Sequence, residues 1–572
     1  MHPDIIKFID SDAPDINMDL AEGLATIHLK GAAEYVDRVF KAAAVGFPAG
    51  LQYRGWRICT AKEEYDLSVK SRNKGRKPAA KGMQKGSGAK QYETAQTDFF
   101  LFEPLMYFND EKLARLTIYI PFAEPGGKVT ISDGKWYISP VLADRVISIG
   151  TDQVFVRLLR DRLTFGRVVH RYLRNNEPTS NSVVYSRIYH KSKDRDGKTI
   201  TQANTTMAHY LFCKFGFEGA MVKYAKTKPV VSAGLLNNPE YPHSEWSIYT
   251  SNGVAPKTSG NRRRQAEHIA SPLQVAIKKS EENDESNALV AGFFYVVDHF
   301  PNLISEQYVN TPDGWVAAMG YMLFSENNNR GNIEKGVLKH LGSVDDYADQ
   351  MVIDNMRAIG INIENIYDFF AIIAKDFGYW ISNNQDKVNS MYDKELAVLY
   401  FVLFDIIKGI FNLFFALKGN SKKVLTKNDV EKALKENLKQ GFAYAISKTH
   451  GEATSLSYSG DNMAFKATAT LTPQTHTTRA TRKGTDRNVG NDPSKLLHPS
   501  VAEVGAVSAV TKSDPTGRSR INHYLQLNET KDLIHRNPKF KELLDIIAAG
   551  ELTTRSVAPG SVLDDEVEYI KS

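Results

Sequence analysis

Cysteine is almost absent from this chain: Cys59 and Cys213 are the only two in 572 residues. Two cannot build a disulfide framework or a zinc set, so both read as small buried hydrophobes in a protein of a reducing compartment. Secretory character is missing as well. The opening MHPDIIKFIDSDAPDIN carries acidic residues where a signal peptide has a basic flank and a long apolar run. A charge-free apolar span is also lacking. The most apolar window, residues 397 to 417, has Asp405 and Lys408 at its centre, each costing about 2.5 to 3.5 kcal/mol in a bilayer, and Asn412 adds to the burden. Asp405 and Lys408 are three apart and share a helix face, so the window reads as a buried core helix with one wet edge, and no membrane partner is expected.

Catalytic signatures are equally scarce. No G-x-x-x-x-G-K-[ST], H-E-x-x-H or C-x-x-C occurs, and no closely spaced aspartates could hold two magnesium ions. Asp376-Phe377-Gly378 spells the kinase metal triplet without its companion motifs, which leaves it as core and turn. His299, beside Asp298, reads as a structural histidine. A stand-alone enzyme would have to assemble its site from distant acids and histidines, the least favoured of the readings.

The sequence does contain an ordinary globular balance, 42% apolar and 24% charged, and a net charge of only +6. Local clustering must therefore carry any argument for a polyanionic partner. The expected fold is mixed α/β (α+β) and multidomain, with a strand-rich N-terminal half, a helical middle domain and a loop-rich C-terminal module. The expected divisions are a mixed region at 1–66, a basic flexible loop at 67–92 and a strand-rich domain with an Arg-rich helix at 93–250. A polar connector at 251–289, a helical domain at 290–448, a loop-rich module at 449–530 and a helix with an acidic tail at 531–572 complete it. Thr426 or Asn428 would cap a helix in the helical domain.

Two basic features stand out from that background. Lys70 to Lys90 holds eight basic residues, no acidic ones and four glycines, either a phosphate-neutralising loop or a solvated insertion. In FVRLLRDRLTFGRVVHRYLRN, Arg157, Arg160, Arg167, Arg171 and Arg174 share a face if the whole segment is helical. If the helix starts near Thr164, the set shrinks to Arg167, Arg171 and Arg174. Such a stripe would contact a nucleic-acid backbone or a partner subunit, or pair with acids elsewhere in the fold.

Residues 455 to 527 add a sharper pattern. Thr475, His476 and Arg479 are followed by Gly484, then His498, Pro499 and Ser500, then Asp514, Pro515 and Gly517, then Asn522. In order and approximate spacing this resembles the middle of the β subunit of multisubunit RNA polymerases, which carries T-H-x-x-R, a glycine-containing loop, H-P-[ST] and E-T-P-E-G with a following Asn. Thr516 stands where that family has Glu, and the interval from His498 to Gly517 is several residues longer. Upstream, GGKVTISDGKWYISPVLADRVISI is similar to the family's G-x-F-I-I-N-G-x-E-R-V stretch.

The resemblance implies an N-terminal portion of β, of the split kind found in very large bacteriophages, acting in DNA-directed RNA synthesis only with partner chains. Those partners would be the C-terminal part of β, β′-like chains, the DNA template and RNA. Magnesium is expected on a partner subunit, with no cofactor or metal bound by this chain alone and no catalytic residue within it. Arg479, Arg482, Lys483 and Arg487 lie in a polar stretch without Phe, Tyr or Trp, which suits guiding a phosphate backbone more than stacking on bases. Together with Arg518 and Asn522 they are the candidate nucleic-acid or nucleotide contacts. The place of action would be the cytoplasm of an infected host cell or the virion. The competing reading is a structural or scaffold protein of a viral particle whose basic loops touch packaged nucleic acid.

Overall fold

A computed structural model of the chain describes residues 17–66, 99–188, 205–253, 271–383, 390–438, 455–457, 470–473, 500–506 and 519–549, with short interruptions. They form a mixed helix-and-sheet protein of two units, residues 1–145 with 389–572 and residues 146–388.

In the first unit, α1 (Ala32–Ala44) repeats small and apolar residues at helical spacing, so Ala32, Val36, Val39, Phe40 and Ala43 form one buried stripe. Phe40 stacks on Tyr53 of β1 (Leu51–Ile58) with ring centroids 4.9 Å apart. Strand β1 pairs antiparallel with β2 (Phe99–Phe108), whose first residues also pair with β3 (Ile118–Pro121). β4 (Lys128–Ile131) and β5 (Gly134–Ile138) form a hairpin, and β6 (Val141–Asp144) follows.

The second unit is built on an eight-stranded sheet. Its strands are β7 (Ile147–Ile149), β8 (Val154–Arg157), β9 (Arg162–Arg174), β10 (Glu177–Ser186), β11 (Thr205–Thr206), β12 (Val230–Ala233), β13 (Trp246–Ser251) and β14 (Leu273–Lys278). The path runs β11-β10-β9-β13-β14-β12, with β8 also on β9 and β7 on β8. Helices α2 (Met207–Ala220) and α3 (Asp284–His299) pack on it, followed by α4 (Pro312–Leu323), α5 (Arg330–Asp345) and α6 (Ile366–Asn383). Local chemistry fixes the helix starts. The Thr206 side chain accepts from His209 N, and Asn283 and Ser286 form a reciprocal capping box at α3.

Aromatic packing joins sheet to helices: Phe165 meets Phe369 edge-on at 5.7 Å, and Tyr172 stacks on Phe294 at 5.7 Å. His170 of β9 and Asp298 of α3 add a buried polar link of 2.9 Å. Phe377 of the Asp-Phe-Gly triplet is buried within α6, so the triplet is core helix. Cys59 and Cys213 are both buried and unpaired.

The chain then returns to the first unit through β15 (Lys394–Ala397), α7 (Phe404–Lys418) and α8 (Lys427–Asn437). Among the short strands that follow are β16 (Ser455–Ser457), β17 (Thr470–Pro473), β18 (Gly505–Ala506) and β19 (Ser519–Ile521). α7 packs against α1, with Asp405 half-buried and Lys408 and Asn412 exposed, the wet edge expected of that window. Among the described residues no helix is long and apolar enough to cross a membrane. Thr426 caps α8 through a capping box with Asp429.

One expectation is corrected here. The Arg-rich segment is not a helix but the strands β8 and β9. Its Thr, Val and Tyr content favours a pleated strand over the helix suggested by arginine spacing alone. Asn175 and Asn176, with φ of 49° and 66°, then close β9 onto β10 in a two-residue hairpin turn whose backbone twist matches the strands.

Candidate nucleic-acid interface

The change from helix to strand redistributes the three arginines, because alternate residues of a strand face opposite sides of the sheet. Arg167 and Arg171 share the exposed side of β9 with Val169, itself 61% exposed. Across the hairpin, Val169 stands opposite Ser182 and Arg171 opposite Ser180. The two guanidiniums spring from positions roughly 13 Å apart along the strand. Arg167 is held by Asp152, Nε to Oδ1 3.1 Å. Arg171 makes no hydrogen bond or ion pair among the described residues, which leaves its five donors for an external acceptor.

Arg174 lies on the other side. Its Nη2 donates to Glu282 Oε2 at 2.5 Å and to Ser247 Oγ at 3.0 Å. The same carboxylate accepts from Tyr249 OH at 2.7 Å, and burial, first of all, raises the Tyr249 phenol well above its ordinary value. Arg174 is therefore tied into the sheet and withdrawn from the proposed contact set.

A second cluster of cations is likewise occupied. Around Glu103, whose side chain is 2% exposed, Arg57 approaches Oε2 at 2.5 Å, Arg115 approaches it at 3.0 Å, and Lys112 reaches Oε1 at 3.3 Å. Glu63 joins Arg57 and Arg115, and its hydrogen bond from Arg57 holds its carboxyl far below the usual range. Burial raises the nearby Cys59 thiol. These cations balance the buried Glu103 and the partly exposed Glu63 and are a structural network, not a phosphate cradle.

The remaining sequence candidates, Arg479, Arg482, Lys483, Arg487, Arg518 and Asn522, lie outside the described residues, as does the segment from Lys70 to Lys90. The strands that flank them are described. β17 runs parallel to β6, Thr472 opposite Val141 and Pro473 opposite Leu142. It runs antiparallel to β19, Leu471 opposite Ser519, while Ala506 at the end of β18 stands opposite Arg520. β17 and β18 therefore end, and β19 begins, at one end of a single sheet.

Beneath that sheet, Leu142, Met391, Leu396, Val504, Leu525 and Ile534 form a buried apolar cluster. Ser500, 1% exposed, accepts a 2.8 Å hydrogen bond from Met391 N, so the last residue of the H-P-S element is an anchor. Nearby, β16 pairs with β5, Ser457 opposite Trp136. The two stretches that resemble polymerase β, more than 300 residues apart in sequence, are thus hydrogen-bonded strand to strand. Neither this pairing nor the Ser500 anchor was legible in the sequence, whose motifs name residues without naming their neighbours. Among the described residues, no three His, Cys, Asp or Glu side chains are grouped to hold a metal ion.

Comparison with known proteins adds one match. The model of a family described as non-virion RNA polymerase subunit covers residues 21–547, more than nine-tenths of the chain. No curated protein matches.

Proposed function

The chain belongs to the family of non-virion RNA polymerase subunits, and from that premise we propose that it forms the N-terminal β-like part of a split, multisubunit, DNA-directed RNA polymerase. The observation that carries this finer reading is the pairing of β5 with β16 and of β6 with β17, which brings the two β-like stretches into one unit.

In this reading the segments leaving the sheet after Pro473 and Ala506 carry Arg479, Arg482, Lys483, Arg487 and Arg518 toward template, transcript or incoming triphosphate, with Asn522 just beyond β19. Their positive charge stabilises developing negative charge on phosphoryl oxygens. The catalytic magnesium belongs to an acidic motif of a partner chain. Among the described residues no three His, Cys, Asp or Glu side chains are grouped to hold such an ion. Arg167 and Arg171 on the open face of β9 provide a second, weaker contact to a nucleic-acid backbone. The partners are the C-terminal part of β and β′-like chains of a very large bacteriophage. The place of action is the infected host cell, since the family is described as non-virion, which also argues against the scaffold reading.

The experiment is a gentle affinity purification of the tagged full chain from its native host, with mass spectrometry of its companions and a nucleotide-incorporation assay on the eluate. Recovery of a chain bearing a D-x-D-x-D motif together with template-dependent RNA synthesis is expected. Recovery of the protein alone or with particle components, and no incorporation, would overturn the proposal.

A further inference from the structure

The open side of β9 holds more than its two arginines. Alternate residues of the β9–β10 hairpin turn the other way, where His170 reaches Asp298, Tyr172 stacks on Phe294 and Val183 is buried. That backing fixes the ladder, whose register runs unbroken from Phe165 opposite Ser186 to Arg174 opposite Glu177. Beyond Arg167 the open side closes again, because Phe165 packs on Phe369 of α6. What faces outward is a short stretch of two strands: Arg167, Val169 and Arg171 on β9, with Ser182 and Ser180 opposite the last two on β10.

Arg171 and Ser180 are a directly opposed cross-strand pair, so their side chains start about 5 Å apart on the same side of the sheet. Neither side chain makes a hydrogen bond or ion pair among the described residues. The guanidinium and hydroxyl donors are therefore both free over one spot, an arrangement that suits the oxygens of a phosphate. Ser180 and Ser182 are also short, which leaves the exposed Val169 open to close approach from the β10 side.

The carboxylates around this surface are accounted for. Asp152 is bonded to Arg167, and Asp368, beside Phe369, accepts from Tyr224 OH. Glu177, at the hairpin tip, stands opposite Arg174 and so lies on the other side of the sheet.

We propose that Arg171 and Ser180 together hold one phosphate of a single-stranded nucleic acid, whose neighbouring sugar or base covers Val169 and whose backbone runs on toward Arg167. The inference rests on the nucleic-acid reading of this side given above and adds Ser180, Val169 and the class of strand. The sheet itself decides against a duplex read in its groove. A major groove about 12 Å wide admits a two-stranded ribbon, but β9 is continued sideways by β8, with Val154 opposite Phe165, and by β13, with Ser251 opposite Tyr172. The bases of a duplex are stacked inside it and cannot cover Val169, whereas those of a single strand can be splayed onto a protein surface.

The test is fluorescence anisotropy of the purified full chain with a labelled single strand and a duplex of the same length, comparing wild type with Ser180→Asp and Val169→Trp. Both positions are exposed, and an unchanged thermal midpoint confirms that each variant is folded. Ser180→Asp, which sets an anion against Arg171, should weaken single-strand binding about tenfold and duplex binding much less. Val169→Trp should tighten single-strand binding alone, because an aromatic platform at that position stacks on a base. No single-strand binding by wild type, affinities of both variants equal to wild type, or equal shifts for single strand and duplex would overturn the proposal. So would a Ser180→Asp chain that binds single strands normally but no longer recovers polymerase chains, since this side would then dock a protein. Failure of the subunit reading is seen separately, as a wild-type chain that recovers no polymerase chain from its host.

Discussion

At the scale of single residues, burial separates groups that hold the fold from groups free to act. His209 is fully buried beside Trp315, its Nε2 2.9 Å from Trp315 O and its Nδ1 without a hydrogen-bond partner among the described residues. Burial lowers its pKa to about 4 from a model-peptide value of 6.5. The folded state thus keeps it neutral while the unfolded chain takes up a proton as pH falls through 6.5. Stability from this group is full above pH 6.5 and is lost on acidification down to about pH 4, at roughly 1.4 kcal/mol per pH unit. Urea unfolding at pH 7.5, 5.5 and 4.5 should show that slope in the wild type and lose it in His209→Gln, which retains a donor near the Trp315 carbonyl. Parallel curves for the two proteins would contradict it. The arginines of β9 divide by the same logic. Arg171→Ala should weaken DNA binding by the assembled enzyme across all sequences and reduce its salt slope by about 1, without loss of stability. Arg174→Ala should leave the salt slope alone and destabilise by about 1 kcal/mol, because Glu282 loses its cation at a partly exposed site. Filter binding against salt, together with unfolding curves, distinguishes the two outcomes.

At the scale of elements, the sequence was legible wherever one local signal dominated. The Ala-rich stripe of α1, the Thr426 cap and the wet edge of α7 follow from periodicity and capping chemistry, and the structure has them. The Arg-rich segment departs from the helix that its arginine spacing suggests, because the turn that follows it pairs it as a strand. Asn175-Asn176 is a hairpin signal through its tolerance of positive φ, and Asn109-Asp110 repeats it after β2 with φ of 50° and 64°. Replacing Asn175 and Asn176 by Val-Val should therefore cost about 2 kcal/mol or more by forcing β-branched residues into the left-handed region, whereas Asn176→Gly should be neutral or stabilising. Thermal midpoints of the two variants check this, and equal midpoints would mean that the turn does not set the register. The pairing of Arg171 with Ser180 lay beyond sequence reading for another reason. The two stand on different strands, and only the register of the hairpin sets them side by side.

At the scale of the whole molecule, the first unit is closed by strands drawn from both ends of the chain, and this separates the proposed chemistry from its support. Leu142 on β6 is fully buried among Leu396, Val504 and Ile534, and Ser500 is tied to Met391, so these residues hold the sheet. Arg479 and Arg482 lie in the sequence between Pro473 and Ser500, outside the described residues. If the β-like reading is right, removing charge and removing support must fail differently. Arg479→Ala with Arg482→Ala should abolish transcript elongation in the assembled enzyme while leaving assembly intact, since no group of the cluster is touched. Leu142→Asp should instead prevent assembly, because an unpaired buried carboxylate costs several kcal/mol, a large part of the 5 to 15 kcal/mol that holds a typical domain folded. Gel filtration of the complex and a primer-extension assay on the same preparations read the two effects separately. Loss of assembly in the arginine variant would mean that those residues contact a partner chain and not nucleic acid. Normal elongation would remove them from the active centre altogether.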